Sequence, residues 1–143
     1  MNKAELERRT LHFALKIIEF VATLPNTKAG EVIEFQLVKA GTSVGANYRE
    51  ATRAESRNDF IHKLAIVEKE SSESLYWLEL CQEARFGKLE LRQWLIQEST
   101  ELLAIFTSAG RTTKARRQSP PVQPKNPTRQ SFENSKSAIR NSK

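Results

Sequence analysis

Four stretches of this chain repeat their apolar residues at intervals of three and four, which all but dictates helix. Leu6, Thr10, Phe13, Ile17, Phe20 and Leu24 form the first stripe, close to the 3.6-residue period of an α-helix. Pro25-Asn26 ends it, because proline cannot continue a helix interior. The second stripe is Ile33, Leu37, Ala40, Val44, Asn47 and Ala51. The third runs through Ile61, Leu64, Glu68, Ser71, Leu75 and Leu78, with Phe60, Val67 and Trp77 beside it. The fourth follows Gly87 as Leu91, Leu95, Glu98, Leu102 and Ile105, flanked by Trp94 and Phe106. Ser56-x-x-Asp59 has the pattern of an N-terminal cap for the third helix. No stretch alternates with a period of two, so no strand is expected. Short turns at Pro25, near Glu55 and at Gly87 make the expected architecture an all-α, antiparallel up-down four-helix bundle.

Charge divides the chain in two. Residues 1–110 hold 14 Lys+Arg against 16 Asp+Glu, whereas 111–143 hold 9 against the single Glu133, so the basic excess belongs to the C-terminal segment. That segment also has four of the five prolines and almost no periodic apolar residues, the composition of a tail disordered in isolation. The expected division is a bundle over 1–110 and a basic tail over 111–143. No run of 18 apolar residues is present, and "MNKAELERRT" is a charged helix former rather than a secretory leader. A cytoplasmic protein without a membrane span is expected. Cys81 is the lone cysteine, which excludes an internal disulfide framework and a cysteine zinc cluster.

The stretch "GTSVGANYREATRAESRNDF" at 41–60 sets two glycines where an apolar helix face should run, and glycine in a helix costs about 1 kcal/mol relative to alanine. Val44 and Ala51 keep the phase of Ile33 and Leu37, so the stretch is read as helix and the small residues as a packing device. Asn47 then faces the seam, where a buried amide fixes register or oligomer state. A sharper reading makes a polar site inside the bundle from Asn47, Glu50, Glu70 and Glu73. The packing reading is preferred, because buried polar groups need partners more often than they perform chemistry.

Enzymatic patterns are sparse. A di-iron bundle needs two Glu-x-x-His pairs, and the only comparable spacing is Asp59-x-x-His62. A phosphate-binding Gly-rich loop and a nucleophile elbow are both missing. Cys81 reads as a small core residue. The expectation is therefore no enzyme, no metal and no cofactor. One pattern survives: Arg57-x-x-x-x-His62 resembles the signature of helical HEPN-type ribonucleases. There Arg would stabilise charge on an RNA phosphate and His would move a proton. A surface arginine beside a half-buried histidine is the simpler account.

Nucleic-acid binding rests on other residues. Arg49, Arg53, Arg57 and Lys63 gather near the junction of helices two and three, and Arg111, Lys114, Arg116 and Arg117 open the tail. Such cations neutralise phosphates without sequence preference. Glu50, Glu55 and Asp59 interleave with the first group, so a salt-bridged helix face explains it equally well. Phe13, Phe20, Phe60 and Phe106 lie at or beside stripe positions, and none is distinguishable from core as a stacking platform.

Ser43, Asn47 and Glu50 are spaced Ser-x-x-x-Asn-x-x-Glu, and Lys69, Glu70, Glu73, Tyr76, Trp77 and Leu78 follow as "KE-x-x-E" and "YWL". Over about Phe13 to Lys114 the chain resembles the bacterial four-helix bundle proteins encoded in intervening sequences of 23S rRNA genes. That family is similar in fold to the accessory variability proteins of diversity-generating retroelements, which form pentameric barrels and bind nucleic acid. The resemblance implies a ring, expected to be a homopentamer, with Ser43, Asn47, Glu50, Glu70 and Glu73 as a structural polar seam. The expected function is a non-enzymatic, ring-forming bundle that binds RNA or DNA through backbone charge. An oligomeric adaptor that recruits a partner protein, and a HEPN-like ribonuclease using Arg57 and His62, stay open beside it.

Overall fold

The computed structural model describes residues 1–118, which form α1 (Lys3–Val21), α2 (Lys28–Thr52), α3 (Arg57–Ala84) and α4 (Leu89–Gln118). Residues 119–143, with most of the expected tail, and the side chain of Arg117 lie outside the described residues. Among the described residues there is no strand. Where the sequence reading ended the bundle at residue 110, α4 continues to Gln118. Its last turns read "RTTKARRQ", mostly strong helix formers, with no proline before Pro120.

The first three helices start where a side chain can take an orphan backbone N–H. Asn2 accepts from Glu5 N at 2.8 Å while the Glu5 carboxylate accepts the Asn2 N–H at 3.1 Å, a full capping box. Thr27 caps α2 through Gly30 N, and Ser56 caps α3 through Asp59 N at the position the sequence indicated. At its C-terminus α3 ends on Arg85 in the left-handed region (φ 58°), and Gly87 (φ 80°) completes the turn. A Cβ on Gly87 would also lie 2.4 Å from the Phe20 ring, so both the backbone and the packing require glycine here.

Consecutive helices pack as antiparallel neighbours and α4 closes back on α1. Specific contacts also tie the first helix and its following turn to the fourth: Arg9 pairs with Glu98 and Glu101, Lys88 N–H donates to Thr23 Oγ1 at 2.9 Å, and His12 meets Trp94 edge-on at 5.4 Å. Phe13, Ile17, Phe20, Leu37, Leu78, Leu95, Leu102 and Phe106 are fully buried between the four helices. Each such side chain contributes roughly 1.5–3 kcal/mol by leaving water.

Helix α1 buries the expected residues up to Phe20, with Val21 in place of Leu24. On the other three helices the stripes shift by one residue in places. In α3 the buried row is Leu64, Val67, Ser71, Ser74, Leu78 and Cys81, while Glu68 and Leu75 are half-buried. In α4 it is Arg92, Leu95, Ser99, Leu102 and Phe106, displacing Leu91, Glu98 and Ile105 to the flanks. The alternation of three and four residues is a strict heptad, and it admits small polar side chains that a search for apolar residues passes over. In α2, Tyr48 takes the buried position assigned to Asn47, which is half-buried.

The glycines of α2 act at close approaches to α1. A Cβ on Gly45 would lie 3.1 Å from Thr10 Oγ1, and one on Gly41 would lie 2.1 Å from Ile17 Cδ1. They are packing devices, as the sequence suggested. Gly30 is tighter, since its Cβ would fall 1.9 Å from the carbonyl oxygen of Pro25, a backbone atom that cannot move aside. Gly110 is open, the nearest atom being Glu68 Oε2 at 3.5 Å. Two alanine substitutions should therefore differ in sign under urea denaturation. Gly110→Ala is expected to stabilise by about 0.5–1 kcal/mol through helix propensity, whereas Gly30→Ala should lower the midpoint by forcing apart the α1–α2 turn.

Candidate nucleic-acid interface

The antiparallel order brings the start of α1, the α2–α3 turn and the end of α4 to one end of the bundle. Residues 1–11, 46–66 and 105–118 supply it with eleven Lys/Arg against five Asp/Glu. The remaining described residues carry seven against eleven. One end of the molecule is thus basic and the rest acidic, although the chain up to residue 110 is near neutral.

Within that end, Arg49 and Arg53 are exposed on the last turns of α2, with Arg53 Nη1 donating to the Arg49 carbonyl at 3.4 Å. Lys63 pairs with Glu50 at 2.8 Å, which raises the lysine pKa and engages that cation. Arg57 is the exposed first residue of α3. Arg111, Lys114 and Arg116 lie on the last turns of α4, all three exposed, where cations also complement the negative end of the helix dipole. The structure brings the two predicted cation groups to the same end, which their separation in sequence did not reveal.

Between α1 and α2 runs an open groove of about 800 Å³. Its apolar wall is Leu11, Leu15 and Ile18, each about half exposed, facing the small residues Thr42, Gly45 and Ala46. Its basic-end lining mixes Arg49, Arg53 and Lys63 with Glu7, Glu50, Glu55 and Asp59. Sequence spacing alone does not single out this row, because it merely parallels the neighbouring core stripe.

The polar seam does not form an inward-facing network. Ser43 Oγ donates to the Lys39 carbonyl at 2.6 Å and Asn47 Nδ2 to the Ser43 carbonyl at 2.8 Å, both within α2. Glu50 is exposed and turned to Lys63. Glu70 and, one turn on, Glu73 both lie half-buried on α3; burial, then the Glu73 charge, push the Glu70 carboxyl above its usual value against the pull of Lys69 and Lys39. The ribonuclease pair is also kept apart: residues five apart on a helix are turned roughly 140° from each other, so Arg57 and His62 look in different directions from α3. Cys81 is buried and its thiol is pushed up to about 11, chiefly by burial, leaving it an inert core residue. Arg92 went unpredicted; it is buried and ties down the α3–α4 turn through the Phe86 carbonyl at 2.8 Å. Among the described residues no three His, Cys, Asp or Glu side chains are grouped to hold a metal, and no helix is long and apolar enough to cross a membrane.

The raised Glu70 carboxyl sets a pH dependence. A folded pKa above the unfolded value means that the native state binds the extra proton, so stability falls as pH rises through that window. Glu70→Gln should then raise the melting temperature at pH 7, and the gain should vanish below the unfolded carboxylate range, at about pH 3. Circular-dichroism melts at the two pH values check it.

Comparison with known proteins agrees with this architecture. A family model described as "23S rRNA-intervening sequence protein" matches residues 2–108. Among solved structures, a protein of unknown function from the S23 ribosomal protein family of Bacteroides thetaiotaomicron is 36% identical, with a TM-score of 0.69. The match covers 78% of this chain and 99% of that one. No curated protein matches. With four antiparallel helices, the family match over residues 2–108 and this structural neighbour, the chain belongs to the 23S rRNA-intervening sequence protein family.

Proposed function

We propose that the protein is a non-enzymatic helical bundle that binds RNA or DNA through the phosphate backbone, working in the cytoplasm. The observation that carries this reading is the gathering of Arg49, Arg53, Arg57, Arg111, Lys114 and Arg116 at one end of an otherwise acidic bundle. A field of one sign attracts a polyanion and raises its rate of encounter, and phosphate binding then releases counterions. The family's association with rRNA genes is consistent with such a ligand. The separation of Arg57 from His62 lends a ribonuclease role no support.

Self-association has its own support. Leu11, Leu15 and Ile18 are each about half exposed, and Phe35 is 65% exposed on the neighbouring helix. Apolar rows of this kind mark interaction surfaces. A second copy covering the α1–α2 face would fit the ring of five that the resemblance implies. Assembly would repeat the basic end in every subunit, and avidity would multiply weak phosphate binding. An adaptor that assembles without binding nucleic acid is the competing reading that this face favours.

Two experiments separate these readings. In a salt titration with labelled RNA, log affinity should fall steeply with log salt. Replacing Arg49, Arg53, Arg111 and Lys114 together by Gln should flatten that slope by roughly 0.7 unit for each single-strand phosphate that the variant leaves unneutralised. Affinity indifferent to salt, or no binding, would leave the adaptor. For assembly, light scattering should show an oligomer that Leu15→Glu reduces to monomer without loss of helical signal. A wild-type monomer at all micromolar concentrations would remove the ring.

A further inference from the structure

A pocket of about 620 Å³ opens at the basic end, where α1, α2, α3 and α4 all contribute. Its walls are apolar: Phe60 is half-buried, Tyr48 and Leu6 retain 8% exposure, and Leu64 and Phe106 close the floor. Tyr48 and Phe106 stand with ring centroids 5.5 Å apart. On the rim are two cations, Lys3 and Arg57, and one carboxylate, Glu55. Lys3 Nζ donates to the Thr52 carbonyl at 3.1 Å, which fixes it at the mouth with further N–H donors to spare. Phe60 is the aromatic that a helical wheel assigns to the flank of the core. The fold instead sets it at the mouth of a concavity beside phosphate-binding charge.

Resting on the nucleic-acid reading, we infer that this pocket takes an unpaired base of a single-stranded nucleic acid, stacked against Phe60, with the flanking phosphates held by Lys3 and Arg57. The chemistry on the rim selects this ligand. A planar apolar group joined to anions matches an aromatic wall beside cations, the combination used to hold single strands. Glu55 is an acceptor for N–H groups on the Watson–Crick edge, which are free only in an unpaired base. A duplex keeps its bases stacked and paired, and entering this concavity would require it to extrude one at a cost. The basic end alone would bind duplex and single strand through the same phosphates. The pocket makes the difference between them.

The test uses the full-length chain and a 12-nucleotide RNA with one central 2-aminopurine. The RNA is offered single-stranded and annealed to its complement, beside the single-stranded DNA of the same sequence. Single strands should bind about tenfold tighter than the duplex, and saturation should quench the 2-aminopurine fluorescence. Comparing RNA with DNA identifies which single strand is preferred. Phe60→Ala should lower single-strand affinity about tenfold, within the range for one stacked base, and abolish the quench, while Phe60→Trp restores both. Arg57→Gln should flatten the salt slope and leave the quench in place. Helical signal and melting temperature are followed for each variant. Should Phe60→Ala fail to fold, the quench in the wild type and in Phe60→Trp still decides. Salt-sensitive binding with equal affinity for duplex and single strand, or with unchanged fluorescence at saturation, would overturn the pocket and leave the backbone-binding reading standing. Absence of binding at low salt would overturn both.

Discussion

The bundle depends on how closely its helices approach, and small residues set that distance. Gly41 and Gly45 let α2 meet Ile17 and Thr10 of α1. Ser71, Ser74 and Ser99 occupy buried heptad positions on α3 and α4. A hydroxyl in such a place needs a partner. Thr10, Ser71 and Ser74 find it in carbonyls of their own helices, at 3.0 Å, 2.7 Å and 2.7 Å to Leu6, Val67 and Glu70. At Thr10, Ser71 and Ser74 the helices satisfy their own hydroxyls, whereas Ser99 Oγ is buried without a hydrogen-bond partner. At the first three positions the interior needs no hydrogen-bond network between helices and can close on aromatic and aliphatic side chains.

Antiparallel order follows from the short turns, and charge follows from that order. Cations at the start of α1, around the α2–α3 turn and at the end of α4 are far apart along the chain yet share one end of the molecule. Local pairing, such as Lys63 with Glu50, engages only part of this excess. Pairs at exposed positions contribute little to stability, so the charge distribution matters more for what the surface attracts than for how the chain folds. The apolar groove beside it answers to a different rule: α1 carries a second row of apolar side chains that its neighbours α2 and α4 do not cover. A helix with so broad an apolar arc is suited to burial on more than one side.

Helix number, turn positions, the cap at Ser56 and the purpose of Gly41 and Gly45 were legible because each depends on neighbours within a few residues. The errors arose where two adjacent rows compete for the core. Ser74 and Ser99 yielded to Leu75 and Glu98 in the sequence reading, since polarity and spacing were weighed without the space available. Asn47 was placed inward for the same reason, while the larger Tyr48 fills that position beside Phe106. Arg92 gave no local signal, because its burial is justified by carbonyls that only the α3–α4 turn presents to it.

The functional surface divides along the same line. The sequence by itself determined four amphipathic helices, their connections, the basic residues available and the family resemblance, because these follow from composition and from period along one dimension. Only the tertiary structure decided that the cations of α2, α3 and α4 converge, and that Phe60 borders an open pocket while Phe13 and Phe20 are sealed. Which of two adjacent rows a helix buries, and which helices meet, depend on packing at distances the local pattern does not encode.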